Sequence, residues 1–276
     1  MNRSRSSPEP GGGGPDAERR ARLTSLLHLD GDAESRAGRI YREMIEESPN
    51  LKTGSIEAIG PADLDRLFRL YDREFFSGRL AEMLLEDGAH PMAFRLSSRL
   101  TRSAGQTARR SRIEPRAGGR SIRKYEYEIA ISTTILFATF HQVDRTITVG
   151  GIVCKDRLEC LQRIFEHELL HLAEFLGWGD SNCSASNFQT LSRRIFAHEA
   201  AVHDMVTPRE QARVLYNIKP GDMVSFELEG TRLVGLVNRI TRRATVLVED
   251  PDGVLYNSGR RYRTFYVPLQ MLRKVT

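Results

Sequence analysis

The feature that most restricts this chain is a helical run that carries two histidines at one-turn spacing. Between residues 156 and 176, Leu158, Leu161, Phe165, Leu169, Leu172 and Phe175 recur at the interval of an amphipathic helix. Asp156 and Glu159 stand at capping-box spacing at its start, and Gly177 follows Leu176 as a stop. Set into this run is His167-Glu168-Leu169-Leu170-His171. Residues four apart share a helical face, so His167 and His171 turn both imidazoles toward one point while Glu168 projects beside them. Two imidazoles so placed hold a metal ion, zinc above all, and the neighbouring carboxylate is then set to move a proton to or from water.

The rest of the chain divides by composition. Residues 1 to 16 are Ser, Pro, Gly and Arg, too poor in apolar groups to offset the entropy of ordering, and are expected to be a disordered tail. Residues 17 to 55 suggest a helical N-terminal extension, with Leu23, Leu26 and Leu27 on one short helix and Ile40, Tyr41, Met44 and Ile45 on another. After Gly60-Pro61, Leu64, Leu67, Phe68, Leu70, Tyr71, Phe75 and Phe76 keep helical spacing until Ser77-Gly78. Strand-like segments follow at 92 to 96, 103 to 112 and 125 to 132, which suggest a small antiparallel sheet. Beyond the histidine helix, Ser186 and Gln189 repeat the start signal of a helix directed toward His198, placing that histidine on the face of Leu191 and Ile195. Past Val206, short apolar runs alternate with turn signals at Pro220-Gly221-Asp222, Glu229-Gly230 and Pro251-Asp252-Gly253, the pattern of a compact β-barrel. The fold class expected is α+β, helices packed on a small antiparallel sheet, followed by a small all-β barrel over residues 212 to 276.

Leu67-Phe68, Tyr71-Asp72, Phe75-Phe76, Gly78 and Leu80, then Ser97-Ser98-Arg99-Leu100-Thr101 with Ala104-Gly105, then Ile129-Ala130-Ile131-Ser132 with Ile135-Leu136, come in this order before the histidine helix. In that order and with those residues, the region from about 56 to 205 resembles the SprT-like metallopeptidase family, whose domain is zincin-like. The resemblance implies a zinc peptidase with Glu168 as catalytic acid and base and His167 and His171 as ligands. It also implies protein substrates attached to DNA. The family's third ligand is a histidine shortly before a phenylalanine, whereas here the segment reads Asn182-Cys183-Ser184-Ala185-Ser186-Asn187-Phe188. Cys183 is the local substitute, since a thiolate binds zinc well. His198 and His203 are the alternatives, from the next helix and beyond it. The tail, from Ile218-Lys219-Pro220-Gly221-Asp222 through Tyr266-Val267-Pro268-Leu269, resembles KOW-type small barrels, which bind nucleic acid or protein.

Charge and cysteine usage narrow the setting. The net charge is +5, with Arg far outnumbering Lys. Residues 94 to 124 carry Arg95, Arg99, Arg102, Arg109, Arg110, Arg112, Arg116, Arg120, Arg123 and Lys124, and the tail adds Arg239, Arg242, Arg243, Arg260, Arg261 and Arg263. Such patches meet phosphate first, so nucleic acid, DNA by the family resemblance, is the expected partner, with Arg99, Arg102, Arg109, Arg110, Arg112, Arg239, Arg242 and Arg243 as contacts. The three cysteines, Cys154, Cys160 and Cys183, are too few and too odd in number for a disulfide framework, which points to a reducing, cytoplasmic setting. Cys154 and Cys160 read as core residues. No stretch reaches the ~20 apolar residues of a membrane span, and no signal-peptide pattern begins the chain. Two other readings share these features: a non-catalytic nucleic-acid-binding or ribosome-associated protein with a structural metal, and a domain whose histidine pair binds no metal.

Overall fold

The computed structural model describes Ala21, Thr24 and residues 32–86, 92–115 and 121–275, with residue 122 described by its backbone alone. The expected tail at 1 to 16, the first extension helix with Leu23, Leu26 and Leu27, and Arg116 and Arg120 lie outside the described residues.

The chain is a mixture of helices and sheets around two apolar clusters, one running from Ile40 to Val206 and the other from Ala212 to Leu272. The first begins with α1 (Ala33–Glu47), which buries Ala37, Ile40 and Met44. Helix α2 (Pro61–Phe76) starts at Gly60-Pro61 as its sequence signals: the Gly60 N–H donates to Asp63 Oδ2 at 2.7 Å, and Pro61 occupies the first turn, where no amide is needed. Ser77 in the left-handed region (φ 54°) ends it. A short helix, α3 (Arg79–Glu86), follows without a sequence signal, because its cap comes from the preceding helix: Asp72 accepts from the Leu80 and Ala81 amides at 3.0 and 3.1 Å.

Strands β1 (Ala93–Ser97), β2 (Gly105–Pro115) and β3 (Ser121–Ser132) form one sheet in the order β1-β3-β2. It is mixed rather than antiparallel, since β1 runs parallel to β3 while β2 pairs antiparallel to it. The reason is burial: β3 carries Tyr127, Ile129, Ala130 and Ile131 into the core and so takes the central position. Ile135 and Leu136, which follow the last strand in the motif order, lie in α4 (Thr133–Ala138), whose Ile135 amide is capped by the Ser132 hydroxyl. A hairpin of β4 (Ile147–Val149) and β5 (Ile152–Cys154) turns through Gly150 and Gly151, both at positive φ.

The histidine helix α5 (Arg157–Trp178) is 22 residues long and buried on most sides. Asp156 caps it by accepting from the Glu159 amide at 2.9 Å, while Glu159 reaches back to the Lys155 amide. Gly177 does not stop it; the left-handed residue is Gly179 (φ 76°), two positions later. Helix α6 (Ser186–Phe196) begins with Ala185 as an uncapped N-cap, so the Ser186 and Gln189 box does not form. It ends at Ala197 (φ 57°), which turns His198 off the helix and away from the face of Leu191 and Ile195.

Helix α7 (Pro208–Tyr216), capped by Thr207, interposes where strands were expected. After it, β6 (Met223–Leu228), β7 (Thr231–Ile240), β8 (Ala244–Leu255), β9 (Arg261–Val267) and β10 (Arg273–Lys274) make a five-stranded sheet in the order β10-β6-β7-β8-β9. The closed barrel expected from the turn spacing is absent: among the described residues no pairing joins β9 to β10. Pro251-Asp252-Gly253 does not separate two strands but forms an irregularity inside β8, and the reversal comes at 256 to 260. Among the described residues no helix is long and apolar enough to cross a membrane.

Candidate metal centre

Helix α5 places His167 and His171 one turn apart, and their Nε2 atoms lie 3.2 Å from each other. Phe188 of α6 stands behind both rings, with centroids 4.9 and 4.7 Å away, so its buried ring sets the orientation of the pair. The loop between α5 and α6 brings in Cys183. One donor atom each from His167, His171 and Cys183 falls within 4.8 Å of the others. Tetrahedral zinc with Zn–N near 2.0 to 2.1 Å holds two imidazole nitrogens about 3.3 Å apart. The histidine spacing and the soft thiol therefore fit zinc, and the donor set leaves one tetrahedral position for a fourth ligand.

Both imidazoles are kept neutral, as metal ligands must be. Burial, reinforced by the positive potential of His171, His198 and His203, lowers His167 to about 3, and burial lowers His171 to about 4. Glu168 is oppositely tuned. Burial raises it to about 7, and the Thr107 hydroxyl and amide offset part of the rise. Thr107 Oγ1 lies 2.7 Å from Glu168 Oε2 and 2.9 Å from the Glu168 carbonyl oxygen, and its single proton serves one of them at a time. Gly105 lets β2 approach: a Cβ there would sit 2.6 Å from Glu168 Oε1 and 2.8 Å from its Cγ.

His167, Glu168, Cys183, His198 and His203 all line one cleft of ≈ 430 Å³, with Gly105 on one wall, Gly150 and Val202 on another and the exposed Arg102 also in its lining. A group with a pKa near neutrality in an open cleft, beside a three-donor cluster, is suited to accept a proton from water and release it to a leaving group.

No family model, no curated protein and no solved structure matches this chain.

Of the three residues considered as third donor, the fold brings only Cys183 to the pair. His198 is committed elsewhere: it is 2% exposed, and its Nε2 donates to Glu166 Oε2 at 2.6 Å. Burial pushes Glu166 up, but Arg163, at 2.9 Å, overrides it together with His198 and Tyr71 and holds the carboxylate below its usual range. His203 shares the cleft but stands outside the cluster; burial lowers its pKa. Cys154 and Cys160 are buried and unpaired, as core residues.

Four residues that the motif did not announce complete the centre. Thr107 and Gly105 reach Glu168 from β2, and Ser181 reaches His171. Ser181 Oγ lies 2.7 Å from His171 Nδ1 and donates to Glu174 Oε2 at 2.6 Å. Glu174 had a sequence signal, lying three residues past His171 on the same helix; the others had none.

The arginines proposed as nucleic-acid contacts stand in different surroundings. Arg110 faces Glu128 of the neighbouring strand, and Arg112 faces Glu126 of that strand and Glu114 of its own. Arg109 lies over the rings of Tyr125 and Phe175, at 4.8 and 5.1 Å, and donates to the Gly179 carbonyl, which makes it a strut between β2 and the end of α5. Arg102 lines the metal cleft, Arg243 is exposed, and Arg99, Arg239 and Arg242 meet in one groove between the two sheets.

Proposed function

We propose that this chain is a zinc-dependent peptidase of the SprT-like class, cytoplasmic, acting on proteins bound or crosslinked to nucleic acid. The observation that carries the reading is the convergence of His167, His171 and Cys183 within 4.8 Å, in a cleft shared with Glu168. His167, His171 and Cys183 would hold the ion. Zinc bound by three protein donors supplies Lewis acidity and brings the pKa of water down to about 7. Glu168, raised to about 7, takes the proton from the attacking water and returns it to the leaving amine. Thr107 fixes the direction of that carboxylate, and Phe188 fixes the two rings. The zincin-like assignment of the first core and the KOW-like character of the C-terminal sheet belong to this proposal, supported by the order of the motifs. The cytoplasmic setting is supported by three unpaired cysteines.

A second reading is favoured by the thiol itself, since Cys and His together also build closed structural sites. It makes the chain a binding protein with a structural metal. One experiment separates the two. Purified protein is assayed for zinc and for hydrolysis of a DNA-binding protein with and without DNA, beside Glu168→Gln. The peptidase reading expects about one zinc per chain in both proteins and a loss of activity of about 10²-fold or more in the variant. Equal activity in the two, or no zinc in the wild type, refutes it.

A further inference from the structure

Arg99 lies in the turn after β1, Arg239 near the end of β7 and Arg242 just beyond it, yet all three line one open groove of ≈ 280 Å³ between the two sheets. The other walls are hydroxyl and aromatic, including Ser98, Thr245 and Tyr266, whose side chain belongs to a residue 68% exposed. Arg242 Nη1 donates to Ser98 Oγ at 3.2 Å, tying one wall to the other. No carboxylate lines this groove, and among the described residues none of the three guanidiniums has an ion-pair partner. Several arginines of the same two sheets differ in this: Arg95, Arg110, Arg112, Arg260 and Arg263 each face an acid. Like charges gathered without a counter-charge oppose folding, and an anion bridging them removes that opposition.

We propose that this groove binds the phosphodiester backbone of a single nucleic-acid strand, with one unstacked base lying on Tyr266. The site rests on the nucleic-acid half of the proposed function and is independent of the metal. The guanidinium fork matches phosphate oxygens in pairs, and a strand offers phosphates at regular intervals to arginines on separate elements. The groove is open and just below the ~300 Å³ at which pockets enclosing small ligands begin, which suits a polymer crossing it over a free nucleotide. An exposed ring selects a single strand, because bases stacked inside a duplex present no face to it. A strand held here is attached to both cores at once.

The test is fluorescence anisotropy of labelled oligonucleotides on the full chain over a range of salt. Single-stranded DNA and RNA of one sequence are two arms, the tighter naming the source, and the matching DNA duplex is a third. Replacing Arg99, Arg239 and Arg242 together by Ala should flatten the slope of log affinity against log salt by about 2, at about 0.7 per single-strand phosphate. Tyr266→Ala should weaken single-strand binding about tenfold and leave duplex binding unchanged. Arg260→Ala and Arg263→Ala, which remove arginines paired with Glu249 and Asp250, should leave both unchanged. Arg99→Ala removes a side chain with no hydrogen bond among the described residues, so it carries the test alone should the triple variant misfold. A folded triple variant with wild-type affinity and slope, or a duplex bound as tightly as the strand, overturns the groove. If the wild type binds no oligonucleotide, the nucleic-acid half of the proposed function falls with it. If the wild type binds and the triple variant binds equally, only the groove falls.

Discussion

His171 Nδ1 donates to Ser181 Oγ across 2.7 Å, an assignment forced by the next link, in which Ser181 gives its own proton to Glu174. The relay fixes His171 as the Nδ1–H tautomer and leaves the Nε2 lone pair directed at His167 and Cys183. Ser181→Ala should therefore lower zinc affinity about 10-fold to 100-fold with little change in folding, read by competition with a chromophoric chelator. Unchanged affinity would show that the serine only fills space.

Cys183→Ala tests the proposed ligand set. Cys183→Ala should take zinc from about one per chain to a small fraction under mild chelator challenge, and Cys183→His should restore it. His203→Ala and His198→Gln, the latter keeping a donor for Glu166, should both retain the metal. Retention in Cys183→Ala would point to a different third donor.

Gly105→Ala tests the wall behind the carboxylate. The added methyl would stand 2.6 Å from Glu168 Oε1 and 2.8 Å from Ile164 Cγ2, so Glu168 has to move. A displacement of this size should lower kcat about 100-fold with zinc content unchanged. Wild-type turnover would mean that Glu168 is not the proton carrier.

The acidity of Glu168 gives a pH signature in chelator-treated protein. Its folded value near 7 lies above the ordinary 4.5, so the native state holds the extra proton in this window. Stability contributed by this group then falls as pH rises from about 4.5 to 7, by about 3 kcal/mol at most. His167 and His171, depressed to about 3 and 4, act in the opposite sense, lowering stability as pH drops below 6.5. Subtracting urea-denaturation curves of Glu168→Gln from those of the wild type isolates the glutamate. A difference that does not vary between these pH values would contradict its burial as a neutral acid.

Long apolar repeats made α2 and α5 readable in the sequence, and four-residue spacing alone placed His167, His171 and Glu168. Cys183 was legible through the family resemblance, which marks the segment before Phe188 as the place of a third donor. Thr107 and Gly105 were not, because they meet Glu168 from β2 across some sixty residues of chain, a contact that no local period encodes. His198 was misplaced on a helical face because Ala197 turns left-handed, a conformation that a non-glycine residue does not advertise. Short elements such as α3 and α4 escaped for a related reason: their caps are supplied by Asp72 and Ser132, residues of neighbouring elements. The parallel pairing of β1 with β3 depends on which strand is most buried, a property of the assembled core.

Among the described residues the C-terminal sheet, left open, has a free margin along β9, and the residues on it bear on how the protein behaves at high concentration. An unpaired strand edge invites a second chain to extend the sheet, and native proteins discourage this with charge along the margin. Arg261 and Arg263 supply such charge at alternate positions of β9. Their replacement by Thr should leave the fold intact and make the protein prone to edge-to-edge self-association.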